Sequence, residues 1–175
     1  MGKPRNKSCR NSISGWTMIK LNIELDELLQ SDKNSSKGLG RIWFQVDNLS
    51  FPEEKWFDFV FISLSEWTLA LLNYSSNKEP STYLMFIDGN YCLKVDRVDE
   101  RYCNISLGKM DTFEEKFTAL YPDVQCIEYR GLLEELLEAN FRVIEFVRKH
   151  EIESQYFKSL LKWDHLIRSN KGAFL

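Results

Sequence analysis

Residues 83–95 read Tyr-Leu-Met-Phe-Ile-Asp-Gly-Asn-Tyr-Cys-Leu-Lys-Val. Two β-type runs, 83–87 and 90–95, flank Asp88-Gly89. Tight primed turns take positive φ at their central residues, and Asp-Gly meets that demand, so this stretch predicts a β-hairpin with Asp88 in the turn. Residues 101–107 read as a third strand beside it, which makes a meander.

Upstream, Ile19, Leu21, Ile23 and Leu25 alternate with Lys20, Asn22, Glu24 and Asp26 within 16–25. Ile42, Phe44 and Val46 alternate with Trp43, Gln45 and Asp47. A period of two argues for half-buried strands, and the turn-rich connector 31–40 between them suits an antiparallel pair. Phe57, Phe59 and Phe61 also alternate, and from Ser65 the spacing changes to Trp67, Leu71 and Tyr74. This predicts an extended segment followed by a helix over 65–74, with Ser63 or Ser65 as its cap. Residues 124–129 fit either a further strand or the lead into the next helix.

Downstream the period is helical. Leu133, Leu136, Leu137, Phe141, Ile144 and Val147 form one apolar stripe, and Tyr156, Leu160, Trp163 and Ile167 a second over 153–169, with Gly172 just past its end. Glu134, Glu135 and Glu138 near one end of the first helix and Arg148, Lys149 and His150 at the other suit its dipole. The expected fold is α+β: an antiparallel sheet (meander) with one inserted helix and two C-terminal helices packed on one face. Its 175 residues suit one domain at 16–175, behind a disordered basic segment at 1–15.

That opening segment holds Lys3, Arg5, Lys7 and Arg10 and no acid, and it lacks the apolar core of a secretory signal. The net charge of −3 therefore hides an acidic body. Residues 111–138 hold Asp111, Glu114, Glu115, Asp123, Glu128, Glu134, Glu135 and Glu138 against Lys116 and Arg130, while 142–171 are basic on balance. An acidic body repels phosphate backbones, which argues against nucleic acid, and attracts a basic protein. The same charges also suit an ordinary solvated surface. No apolar run is long enough for a membrane helix, and a cytoplasmic location is expected.

Chemistry-bearing motifs are sparse. There is no G-x-S-x-G, no phosphate-binding glycine loop and no H-E-x-x-H, and His150 and His165 are the only histidines. Cys9, Cys92, Cys103 and Cys126 match no zinc spacing, so free buried thiols are expected, although Cys92 and Cys103 lie in adjacent strand-like runs and could approach each other. Glu53, Glu54 and Asp58 could face a cation, but without the spacing of a calcium loop. No cofactor and no metal are expected. Asp88, Glu128 and His165 are the candidates if the chain has a small-ligand or catalytic pocket between sheet and helices. Trp43, Trp56 and Tyr91 fall off the main core face; exposed aromatics framed by acids make protein-binding anchors, and a second covered sheet face would explain them equally well.

The stretches Phe51-Pro52…Trp56-Phe57-Asp58-Phe59 and Phe86-Ile87-Asp88-Gly89-Asn90-Tyr91 form the patterns F-P-x-x-x-W-x-D-F and F-x-D-G-x-Y. They resemble small bacterial proteins that look like immunity proteins of polymorphic-toxin and contact-dependent inhibition systems, with Asn90 standing where the pattern has Pro. The resemblance covers about residues 51–95. It implies a non-enzymatic protein that binds and neutralises a cognate protein toxin, such as a basic nuclease, as a monomer or weak homodimer. Joined to the charge layout, it marks Trp43, Trp56, Asp111, Glu114, Glu115, Asp123, Glu128, Glu134, Glu135 and Glu138 as candidate partner-binding residues.

Overall fold

The computed structural model describes residues 17–25, 38–121 and 125–169. The basic segment 1–15, Trp16, most of the 31–40 connector, Asp123 and Gly172 lie outside the described residues.

The fold is α+β, and the strands divide into two antiparallel sheets where the reading above has one. In the first, β1 (Ile19–Glu24) pairs along β2 (Leu39–Val46), with Ile19 opposite Val46 and Ile23 opposite Ile42. The other edge of β2 is shared by β3 (Leu49–Phe51) and β4 (Phe57–Phe59). The alternation in β2 is genuine: Ile42, Phe44 and Val46 are buried and the residues between them half-buried.

α1 (Val60–Ser76) follows β4 directly and begins five residues before the predicted Ser65. Phe61 therefore belongs to the helix, and neither Ser63 nor Ser65 caps it; both are buried within it. A tertiary contact overrides the local alternation. Gly38 O accepts the Val60 N–H (2.8 Å), satisfying one of the donors that a helix start leaves unpaired. Gly38 has φ +65, and a Cβ there would lie 2.3 Å from the Phe61 ring, so only glycine admits this approach.

The second sheet runs β5 (Ser81–Met85), β6 (Tyr91–Arg97) and β7 (Tyr102–Asp111). Along the far edge of β7 lie β8 (Lys116–Ala119), beside its last residues, and β9 (Gln125–Glu128), beside its first. α1 joins the two sheets. Trp67 is fully buried, donates Nε1–H to Met85 O (2.6 Å), and packs its ring against Phe44 and Phe86 at 5.1 and 5.0 Å. Phe51 continues this cluster onto Phe86.

α2 (Tyr129–Lys149) lies along β1 and seals its open edge. Glu135 Oε2 accepts the Leu21 N–H and Arg142 donates to Leu21 O, both at 3.0 Å, so an exposed ladder position is closed by side chains. The buried stripe of α2 corrects one residue of the expected one. Phe141 is 47% exposed, and Asn140 takes the inward position, donating to Thr68 Oγ1 (3.0 Å). α3 (Gln155–Ser169) packs on α1 rather than on a sheet face, with Phe157 against Phe61 at 5.9 Å.

Cys92 and Cys103 are free and buried. Cys92 faces Gly108 and Cys103 faces Arg97 across β6 and β7, five register steps apart, or about 17 Å, which is beyond disulfide reach. Cys126 is disulfide-bonded, so the expectation of free thiols fails there. Among the described residues no helix is long and apolar enough to cross a membrane.

Candidate protein-binding surface

The two aromatic patterns meet in space. Asp58, on the short strand β4, is 1% exposed. Its Oδ1 accepts the N–H groups of Phe59 (2.7 Å) and Asp88 (3.3 Å), and its Oδ2 that of Ile87 (3.0 Å). One carboxylate thus ties the start of α1 to the β5–β6 loop. Burial outweighs these donors and raises its pKa above the ordinary carboxylate value. Asp58 is therefore a structural acceptor, not a cation ligand with Glu53 and Glu54, both of which are exposed. Among the described residues no group of acidic, histidine or cysteine side chains could hold a metal ion.

The loop itself differs from a two-residue Asp-Gly turn. The left-handed residues are Gly89 (φ +78) and Asn90 (φ +58), one step later than predicted. Phe86 N–H pairs with Tyr91 O, and residues 87–90 make the connection. Asp58 holds the N–H groups of Ile87 and Asp88, and the turn falls beyond them. Pro, fixed near φ −65, could not stand at Asn90 in this conformation. Gly89 lies under two rings: a Cβ would come 2.9 Å from Tyr91 and 3.1 Å from Trp56. Those rings meet edge to face at 5.1 Å, and Trp56 Nε1 is buried without a hydrogen-bond partner.

The β7–β8 turn lies at the same end of the second sheet. Tyr91 faces Lys109 across the ladder, and Met110 N–H donates to Asn90 O (2.9 Å). Asp111 and Lys116 close a loop over 112–115. Asp111 Oδ1 accepts the N–H groups of Phe113 (2.9 Å) and Glu114 (3.1 Å), which hold its pKa below the ordinary value, so it is charged at neutral pH. Glu115 takes φ +51 and turns the chain into β8. At the tip, Phe113 is 99% exposed.

This end therefore gathers three exposed apolar side chains, Phe57 (48%), Ile87 (42%) and Phe113. Around them stand the exposed carboxylates of Glu53, Glu54, Asp88, Asp111, Glu114 and Glu115. Among the described residues the nearby cations are Lys109, Lys116, Lys55 and Arg41; Arg41 stands opposite Phe57 across β2 and β4, and both it and Lys55 are paired with Glu24, at 3.7 and 2.9 Å.

Of the sequence-predicted residues, the structure brings Trp56, Asp111, Glu114 and Glu115 to this end. The others lie elsewhere. Glu128 faces Tyr102 at the opposite end of β7, about 30 Å from Asp111, and is paired with Arg101 at 2.6 Å. Glu134 is paired with Arg130, Glu138 is exposed on α2, and Glu135 is committed to β1. Trp43 is half-buried opposite Asn22. Phe113, which the reading missed, had one signal: an aromatic inside the turn-like run Asp-Thr-Phe-Glu-Glu.

The pocket candidates do not converge. Asp88 is on the β5–β6 loop, Glu128 at the far end of the sheet, and His165 on the exposed side of α3, 3.5 Å from Ser169 Oγ. A cleft of about 360 Å³ between the β2–β3 turn and β7 is lined by Asp47, Asn48, Leu107, Tyr121 and Gln125 among others, and by none of the three candidates. No family model, curated protein or solved structure matches the chain.

Proposed function

We propose that this chain is an immunity-type binding protein that neutralises a cognate basic protein toxin, such as a nuclease domain, by covering its working surface. One observation carries the reading: exposed Phe57, Ile87 and Phe113 share one end of the molecule with six exposed carboxylates. Apolar side chains set among a net excess of acidic charge suit a basic partner, with the charges steering the encounter and the apolar groups holding the complex. The separation of Asp88, Glu128 and His165 gives the pocket reading no comparable support. The motif resemblance adds the biological setting, which the proposal places in the cytoplasm of the toxin's target cell.

The test is co-expression with the product of the neighbouring upstream gene. If that product is toxic, growth in its presence is expected with the unaltered chain. Replacing Glu114 and Glu115 by lysine should abolish protection while leaving the melting temperature unchanged. Cell death despite soluble, folded chain would refute the proposal.

A further inference from the structure

We infer that Phe113 is the anchor of this interface, entering an apolar pocket rimmed by lysine or arginine on the basic partner; the inference rests on the binding reading above. Its ring is 99% exposed, whereas Phe57 and Ile87 are about half covered by their own chain. A phenylalanine that contributes nothing to its own core has its whole apolar area free for a partner, about 150–250 Å² for an aromatic side chain. Side chains that dominate binding energy are typically aromatics that fill desolvated pockets.

The backbone that carries the ring is also held in place before any encounter. Asp111 fixes the backbone of Phe113 and Glu114, the Asp111–Lys116 and Met110–Phe117 pairs align the two strands, and Met110 ties the arm to Asn90. An aromatic on a fixed turn loses little backbone freedom on docking. Charge selects the occupant. Asp111, Glu114 and Glu115 flank the ring, with Lys116 the only cation in the turn. They would repel a second copy of the same arm and an anionic lipid surface, and would complement a basic rim.

The experiment measures association and dissociation of the purified product of the neighbouring upstream gene on immobilised chain at about 50 and 200 mM salt. The variants are F113A, E114K/E115K and, on the distant face of α2, E134K/E138K. F113A should fold normally, because it removes no intramolecular contact of note. It should weaken binding by about 10- to 100-fold, mainly through faster dissociation, with the salt dependence retained. E114K/E115K should slow association and flatten the salt dependence, and E134K/E138K should change neither. If F113A binds within about twofold of the parent, or if E134K/E138K carries the loss instead, the anchor assignment falls and the neutralising role stands. No binding by the unaltered chain at low salt removes both. Self-association in sedimentation that F113A abolishes would make the occupant a second copy and overturn the basic-partner assignment.

Discussion

Replacing Asp58 by alanine strips three backbone N–H groups, those of Phe59, Ile87 and Asp88, of their acceptor at once. A buried donor left unpaired costs about 1–3 kcal/mol. Ile87 and Asp88 are exposed loop residues that water can partly serve, so each group counts at the low end, about 3 kcal/mol for the three together. Part of this is returned. Burial of the carboxylate disfavours its charged form strongly enough to raise the pKa despite three donors, and alanine removes that penalty. The net loss expected is about 2 kcal/mol. For a chain of this size that lowers the melting temperature by about 4–8 °C. Asp58→Asn keeps one acceptor oxygen but turns an NH₂ toward a donor, and should lose about 1 kcal/mol.

Urea titration gives the free energies, and amide exchange at Ile87 and Asp88 shows whether the loop has come free. The pH dependence has a defined sign. The folded-state pKa of Asp58 lies above its unfolded value, so its contribution is fully present below the unfolded pKa and declines as pH rises through the folded one. The gap between parent and Asp58→Asn should therefore narrow from acid to neutral pH. A loss for Asp58→Ala below about 0.5 kcal/mol, with exchange at Ile87 and Asp88 unchanged, would refute the role given to this carboxylate.

Three further outcomes are expected. Thr68→Val should cost about 1–3 kcal/mol in urea titration, because Asn140 Nδ2 then loses its acceptor while its Oδ1 already lacks a partner. Gly38→Ala should cost about 2–4 kcal/mol in the same titration, since it combines left-handed backbone strain with a clash on the Phe61 ring. Burial pushes the thiols of Cys92 and Cys103 up to about 11 and 12. Native protein should thus resist iodoacetamide at those two residues at about pH 8 and react there only when unfolded, as read by peptide mass spectrometry. The stability these thiols contribute is present below the unfolded value of 9.0 and is lost as pH rises toward their folded values, so the melting temperature should fall above about pH 9.

Period-two runs and the Asp-Gly signal made β1, β2 and the β5–β6 hairpin legible, because each depends on neighbours close in sequence. What escaped depends on contacts made across the chain. Phe61 alternates with Phe57 and Phe59, yet the carbonyl of Gly38 starts a helix at Val60. The hairpin turn falls at Gly89-Asn90, and the Asp58 carboxylate, about thirty residues upstream, holds the two N–H groups before it. Glu135 counts as one more surface acid until β1 is laid beside α2 and its carboxylate takes the Leu21 N–H. The candidate site was half legible. Asp111, Glu114 and Glu115 stood out by charge, but only the β7–β8 register shows that they frame Phe113 and that β7 carries Glu128 to the other end.

The division of labour between pattern and tip has a physical consequence. Asp58, Phe51, Phe86 and the Trp56–Tyr91 ring pair are tied into one hydrogen-bonded and aromatic cluster, so a change at any of them disturbs how the two sheets meet. Phe113, Glu114 and Glu115 stand in solvent on a loop whose backbone is held by Asp111 and by the strands behind it. Substitution at those three positions removes little packing, so partner preference can change there at little cost in stability. The buried residues of the aromatic patterns accordingly report the shape of the scaffold, while Phe113, the anchor assigned to the interface, lies outside both patterns. A library randomised at 113–115 should retain folding in most members and protection against the toxin in few, whereas one randomised at Asp58 and Phe86 should lose folding first.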